Sequence, residues 1–242
     1  MLSVVIPAHN EEGSIASTVR TLHEVLEREA IDHEIVVVND HSSDGTGAVL
    51  ARLSQEIPSV RPLTNDGPGG FGFAVRFGLE RFTGDRVAVM MGDLSDDPED
   101  LVRFHRKMDE GFDCVFGTRW SKGGSVHDYP RLKRWINRLA NTIVRMIFRL
   151  RYDDCTNAFK LYSRSTVDGL KPLLAPHFNL TLELPLKAIV RGYSYAVVPN
   201  SWRNRKSGES KLKIKEMGSR YFFILLYCLI EKYFSKGDFR KK

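Results

Sequence analysis

The sequence predicts an α/β fold, a mostly parallel sheet covered by helices on both faces. Two observations carry this. Short runs that are apolar throughout alternate with helix-period segments over residues 1–118, and three of those runs end in polar clusters. Strands buried on both faces read as continuous apolar runs, and helices between them make the crossovers of a parallel sheet.

Each element has its own warrant. "LSVVIPA" is a buried strand, followed by a helical pattern from about Ser14 to Glu29 with Ile15, Val19, Leu22, Val25 and Leu26 on one face. "EIVVVND" is the second strand, and Asp44 to Gln55 the second helix. "SVRPL" is a weak strand whose Pro62 disfavours a central position. A glycine-rich turn then opens a helix near Phe73 to Phe82. "RVAVMM" is the fourth strand, Pro98 to Met108 a helix, and "DCVFGTR" the fifth strand.

The second half reads differently. Arg131 to Arg151 is a strongly amphipathic helix, with Arg131, Arg134, Arg138, Arg145 and Arg149 on one stripe. Leu132, Trp135, Ile136, Leu139, Ile143 and Ile147 lie away from that stripe. It reads either as a surface helix packed on the sheet or as an interfacial helix at a membrane. "YFFILLYCLI", Tyr221 to Ile230, is an uncharged run of ten residues, about half what a crossing needs.

Composition bounds the function. Residues 1–118 hold 10 Lys/Arg against 21 Asp/Glu, and residues 119–242 hold 26 against 9. An acidic half suits a cation and a basic half suits polyanions: nucleic acid, anionic lipid or a phosphorylated substrate. Three cysteines, Cys114, Cys155 and Cys228, show no paired or metal-type spacing, which fits a reducing compartment. The first residues carry no signal-peptide pattern.

The polar strand ends are "PAHNEE", "NDHSSDGT" and "GDLSDDPED". One alone is an Asx-rich turn before a helix cap. Three together suggest a shared site, because ligands of open α/β sheets sit beyond the C-terminal strand ends. Gly67, Gly69 and Gly72 match a G-x-G-x-x-G dinucleotide spacing. They follow a poor third strand rather than the first, so a turn permitting close backbone approach is the better reading.

These residues resemble a family. "VVIPAHNEEGSI", "EIVVVNDHSSDGT", "NDGPGGFGFAVRFGL", "VMMGDLSDDPED" and "FGTRW" are similar, in order, to the motifs of GT-A fold, family-2 glycosyltransferases. "DDCTNAFKLYSRS", "LELPLKAIVRGY" and "VPNSWRNRKSGESKLK" resemble the branch that loads a sugar onto a polyprenyl phosphate, the dolichol-phosphate mannosyltransferase-like subfamily. The resemblance runs from about Leu2 to Lys213. It implies a catalytic domain over 1–213, with a nucleotide-sugar half (1–118) and an acceptor half (119–213). An amphipathic extension over 214–242 would lie at the membrane.

The resemblance also implies roles. Pro7, His9, Glu11, Asp40, Gly69 and Ser95 would line the donor nucleotide. Asp93 would hold a divalent cation, Mg²⁺ or Mn²⁺, against the donor diphosphate. Arg119, Arg134, Arg205 and Lys211 would meet the acceptor phosphate, with Arg131 as a neighbour. Two departures stand out. Met91 replaces the first Asp of the usual Asp-x-Asp, and Asn39 replaces the first Asp after the second strand. Mg²⁺ needs only one or two carboxylates beside phosphates and water, so Asp93 suffices. Asp97-Pro98-Glu99-Asp100 reads as an acidic helix start, and Asp96 stays open.

The expected activity is inverting transfer from a nucleoside diphosphate sugar, GDP-mannose favoured over UDP-sugars, to a polyprenyl phosphate. The expected location is peripheral, on the cytoplasmic membrane face. A family-2 enzyme acting on a glycan or another lipid is the alternative, and a basic nucleic-acid binder the rival from another class. The sugar, the prenol and any small membrane subunits are not specified by the sequence.

Overall fold

The computed structural model describes residues 1–204 and 214–241. The first half runs β1 (Leu2–Ala8), α1 (Ile15–Arg28), β2 (His33–Asn39), α2 (Thr46–Glu56), β3 (Val60–Thr64), α3 (Phe71–Leu79), β4 (Arg86–Val89), α4 (Pro98–Met108) and β5 (Cys114–Thr118). Then come β6 (Ser125–His127), α5 (Arg131–Phe148), β7 (Lys160–Ser163), α6 (Arg164–Gly169), α7 (Leu180–Val190), β8 (Tyr195–Pro199), β9 (Ser201–Arg203) and α8 (Ile214–Phe234).

Among the described residues, seven strands form one sheet in the order β3-β2-β1-β4-β7-β5-β8, and β6 pairs with β9 in a separate ribbon. Side chains of a strand alternate between faces. Val5 of β1 therefore joins a core with Val36, Val38, Ala74 and Leu182, under α3 and α7. Its neighbours Val4 and Ile6 join the opposite core with Leu22, Leu50 and Leu101, under α1, α2 and α4. Pro62 is tolerated because β3 is the edge strand.

Strand order positions the site. The chain steps from β1 outward through β2 to β3, then returns to place β4 on the other side of β1. The β1/β4 junction is thus a topological switch point, where a crevice opens beyond the strand ends.

Two features were not legible as strands or faces beforehand. β7 runs antiparallel between β4 and β5, with Lys160 opposite both Val89 and Phe116. And α5 buries Asn141, Val144 and Phe148, while Leu132, Trp135, Leu139, Ile143, Met146 and Ile147 are exposed. At 100° per residue the exposed apolar set lies opposite the buried one, so this helix turns its greasy face outward.

The last helix is tied to the body. Ile224 and Cys228 are buried in the α3/α7 core, and the Arg191 guanidinium forks onto Glu231 at 2.7 and 2.8 Å. Phe222, Phe223, Leu226 and Ile230 of the same helix are exposed. No helix among the described residues is long and apolar enough to cross a membrane.

Candidate active site

The loops after β1 and β2 are laced together. Asn10 Oδ1 accepts from Ser43 N–H (2.8 Å), Asp44 Oδ2 from Glu12 N–H (3.2 Å), and Glu12 Oε2 from Gly45 N–H (2.9 Å). The β4 end joins them: Ser14 and Thr18 hydroxyls donate to Gly92 O at 3.0 and 3.1 Å. The three polar strand ends therefore form one rim.

Asp40 organises the β2 side. Its buried carboxylate accepts from Gly70 N–H (2.8 Å) and Asn65 Nδ2 (2.7 Å), with His41 Nδ1 at 3.1 Å. A carboxylate offers about four acceptor positions, so these contacts occupy most of them. His9 Nδ1–H donates to Asp40 O at 2.5 Å, and Glu11 accepts from the Ser14 hydroxyl at 2.8 Å. Pro7 is half-buried within β1, opposite Val38.

The glycine turn works by close approach. Gly70 has φ +143, and a Cβ on Gly72 would lie 2.5 Å from Ala175 O. Gly69 sits against the Asp40–His41 pair. The turn docks the start of α3 on the segment before α7, which is a packing role rather than a dinucleotide cradle.

On the β4 side, Asp97 is the N-cap of α4, accepting from Glu99 N–H, with Pro98 at the first turn and Asp100 buried against Ser201 N–H. The helix-start reading of 97–100 holds. Asp93 stands at the rim and accepts from Ser95 N–H at 3.1 Å. Asp96 is fully sequestered, accepting from Met91 N–H at 3.0 Å. Burial, and secondarily the nearby Asp93 charge, pushes its carboxyl up to about 7.

That shift has a sign. A carboxyl with a raised native pKa binds more protons folded than unfolded between about pH 4 and about pH 7. Stability should therefore fall as pH rises through that window. Asp96→Asn should flatten the fall, as read by urea midpoints at pH 5 and pH 8; an unchanged slope would remove Asp96 as its cause.

The β5 end carries the basic side. Arg119 is buried, and its guanidinium forks onto Asp154 at 2.8 and 2.7 Å. Burial opposes its charge, but the Asp154 carboxylate outweighs burial and the Arg119 pKa is raised. The guanidinium expected at the acceptor phosphate is thus committed to a carboxylate, and its neighbours Arg134 and Arg138 face outward. The guanidinium carbons of all three lie 5.3–5.4 Å from the Trp120 ring centre. Tyr129 and Trp202 extend this aromatic cluster, with ring centres 5.0 Å apart. Arg205 and Lys211 lie outside the described residues; at Arg203, the N–H donates to Ser95 O at 2.9 Å.

Below the rim, Lys160 is buried with Nζ on the carbonyls of Cys155 (3.1 Å), Thr181 (3.2 Å) and Asn157. Burial lowers its pKa to about 7. Asn157 Nδ2 donates to Gly117 O and Asn200 Oδ1 at 2.9 and 3.0 Å. Sequence reasoning left Asp96 open and missed Asp154, Lys160 and Trp120 as individuals. The signal available was the motif "DDCTNAFK", whose Asp154, Asn157 and Lys160 are buried. Three buried polar atoms, Ser95 Oγ, Trp120 Nε1 and Ser121 Oγ, have no hydrogen-bond partner among the described residues. They flank the rim at the β4 and β5 ends.

Carboxylates thus gather at the β1, β2 and β4 ends of an α/β sheet and guanidinium groups at the β5 end. Residues 3–170 match the family described as glycosyl transferase family 2. Over 217 residues the chain is 30% identical to polyprenol monophosphomannose synthase of Mycolicibacterium smegmatis, covering 86% of this chain and 80% of that one. It is also 30% identical to dolichol-phosphate mannosyltransferase of Pyrococcus furiosus, spanning 88% of this chain and 60% of the relative's length. Among solved structures it superposes on glucosyl-3-phosphoglycerate synthase from Mycobacterium tuberculosis in complex with Mn²⁺, UDP-glucose and phosphoglyceric acid. There the TM-score is 0.71 at 19% identity, covering 95% of this chain and 79% of that one. The chain belongs to glycosyl transferase family 2. It has the GT-A fold and is a glycosyltransferase.

Proposed function

We propose that this glycosyltransferase moves a sugar, mannose from GDP-mannose favoured, onto a polyprenyl phosphate at the cytoplasmic face of a membrane. The observation that carries this is α5. Arg134 and Arg138 approach the Trp120 cluster at the crevice, while Leu132, Trp135, Leu139, Ile143 and Met146 of the same helix are exposed. Leu132 is 70% and Trp135 63% exposed, too much for a satisfied soluble helix. An acceptor with a phosphate head and a long apolar tail matches both faces at once. The names of the relatives at 30% identity point to the same acceptor class.

The residues fit a divalent cation. The donor set is hard oxygen: Asp93, a second carboxyl at Asp96, and the unpartnered Ser95 hydroxyl between them. When bound, the ion would offset charge on the leaving diphosphate. Asp93 would hold it, and Asp40, His9, Glu11, Pro7 and Gly69 would frame the nucleoside.

The acceptor phosphate has a second pKa near 6, so at neutral pH it is largely dianionic and needs no general base. Its oxygen attacks the anomeric carbon as the bond to the diphosphate oxygen breaks, which inverts that carbon. Arg134, with Arg205 and Lys211, would position the phosphate through forked or point-charge contacts. Arg119, fixed by Asp154, would brace the Trp120 ring against which the two outer guanidinium groups lie.

The test is a split in acceptor length. Leu132→Ser/Trp135→Ser/Met146→Ser should lower transfer to a long-chain polyprenyl phosphate by about tenfold or more and abolish sedimentation with anionic vesicles. Basic residues near such a surface contribute about 1 kcal/mol each, so high salt should release the unmodified protein. Transfer to a short, water-soluble prenyl phosphate should be spared. Equal losses on both acceptors, or no vesicle binding by the unmodified protein, would contradict the reading.

A further inference from the structure

At the opposite end of β2 from the crevice, three ligand-type side chains meet. His23 and Glu27 are one helical turn apart on α1, and His33 opens β2. One ligand atom from each lies within 4.8 Å of the others, the one such group of three among the described residues. His23 Nδ1 is 3.1 Å from His33 Nε2. Ser59 Oγ is 3.4 Å from the first and 3.2 Å from the second.

We propose that His23, Glu27 and His33 bind a Zn²⁺-class transition-metal ion that staples the end of α1 to the start of β2. Three features suit this cluster to a metal ion. Two nitrogens on a tetrahedral ion at about 2.0–2.1 Å stand about 3.3 Å apart, close to the observed spacing. His33 Nδ1–H donates to Ile31 O at 2.8 Å, which fixes the tautomer that turns the Nε2 lone pair toward His23. The third group is a carboxylate, which completes a two-nitrogen, one-oxygen set and neutralises charge. Ser59 or water would take the fourth position.

The chemistry favours Zn²⁺ over Mg²⁺, since two imidazoles are poor partners for a hard ion. Binding from the neutral pair needs only that His23 shift its proton from Nδ1 to Nε2. The site is remote from the chemistry: seven residues of strand at ~3.3 Å each put roughly 20 Å between His33 and Asp40.

The experiment is calorimetric titration of the metal-stripped full-length protein with Zn²⁺ in excess Mg²⁺, which keeps a magnesium site occupied. Co²⁺ absorption reports tetrahedral ligation. The expected result is one ion per chain at micromolar or tighter affinity, with a rise in Tm of several degrees. His23→Gln should weaken binding by about 100-fold and Glu27→Gln, at an exposed position, by about tenfold, with metal-free Tm and sugar transfer in Mg²⁺ unchanged. No saturable binding would overturn the proposal, as would binding that neither substitution alters.

Discussion

Asp93→Asn is expected to reduce sugar transfer by about 10²–10³-fold or more, the scale of losing one preorganised electrostatic contact to the leaving group. The fold should survive, because Asp93 stands at the rim and its hydrogen bond from Ser95 N–H can be kept by an amide oxygen. The family's usual partner carboxylate is Met91 here, so no equivalent oxygen is held in reserve at that position. Mg²⁺ or Mn²⁺ should be required, and excess chelator should silence the unmodified enzyme. A variant with ordinary Tm and near-normal turnover would place the cation elsewhere, with Asp96 the next carboxylate to test.

The second large effect is on stability. Asp154 is wholly buried and holds Arg119 through two side-chain contacts and a third from the Arg119 backbone N–H at 3.0 Å. Removing one member strands the other as a buried charge, which costs about 3–5 kcal/mol. Asp154→Ala should lower the urea midpoint accordingly and disorder the Trp120 cluster. The double variant Arg119→Met/Asp154→Leu should recover most of that stability, since apolar replacements of buried pairs are often neutral or better. Transfer should stay low in the double variant, because Trp120 and the outer guanidinium groups lose their anchor. Recovery of both would make the pair purely structural.

The legible parts of this molecule are those whose signal is local. β1, β2, β4 and β5 announce themselves as apolar runs, and Asp97-Pro98 marks the start of α4. The three polar strand ends converge because strand order makes β1/β4 a switch point; alternating elements imply the parallel sheet but not that order. What escaped is non-local. β7 is four residues with a lysine at its head, and the buried Lys160 is received by two carbonyls of the turn just before it and by Thr181 O of α7, 21 positions away. Arg119 and Asp154 are 35 positions apart, and nothing in either motif says that they pair. For α5 the periodicity is plain, yet it cannot say which face goes inward. The core takes Asn141, Val144 and Phe148 and leaves the larger apolar face outside.

The central claim is the acceptor, and one assay addresses it. The purified enzyme is given a labelled nucleoside diphosphate sugar, GDP-mannose first and UDP-sugars in parallel, with Mg²⁺. The acceptors are a long-chain polyprenyl phosphate in one reaction and a soluble phosphorylated acid in the other. The account predicts label in an organic-extractable, mild-acid-labile product in the first reaction alone, lost with Asp93→Asn. Label that stays in the aqueous phase with every donor, or that moves to the soluble acid instead, would contradict it.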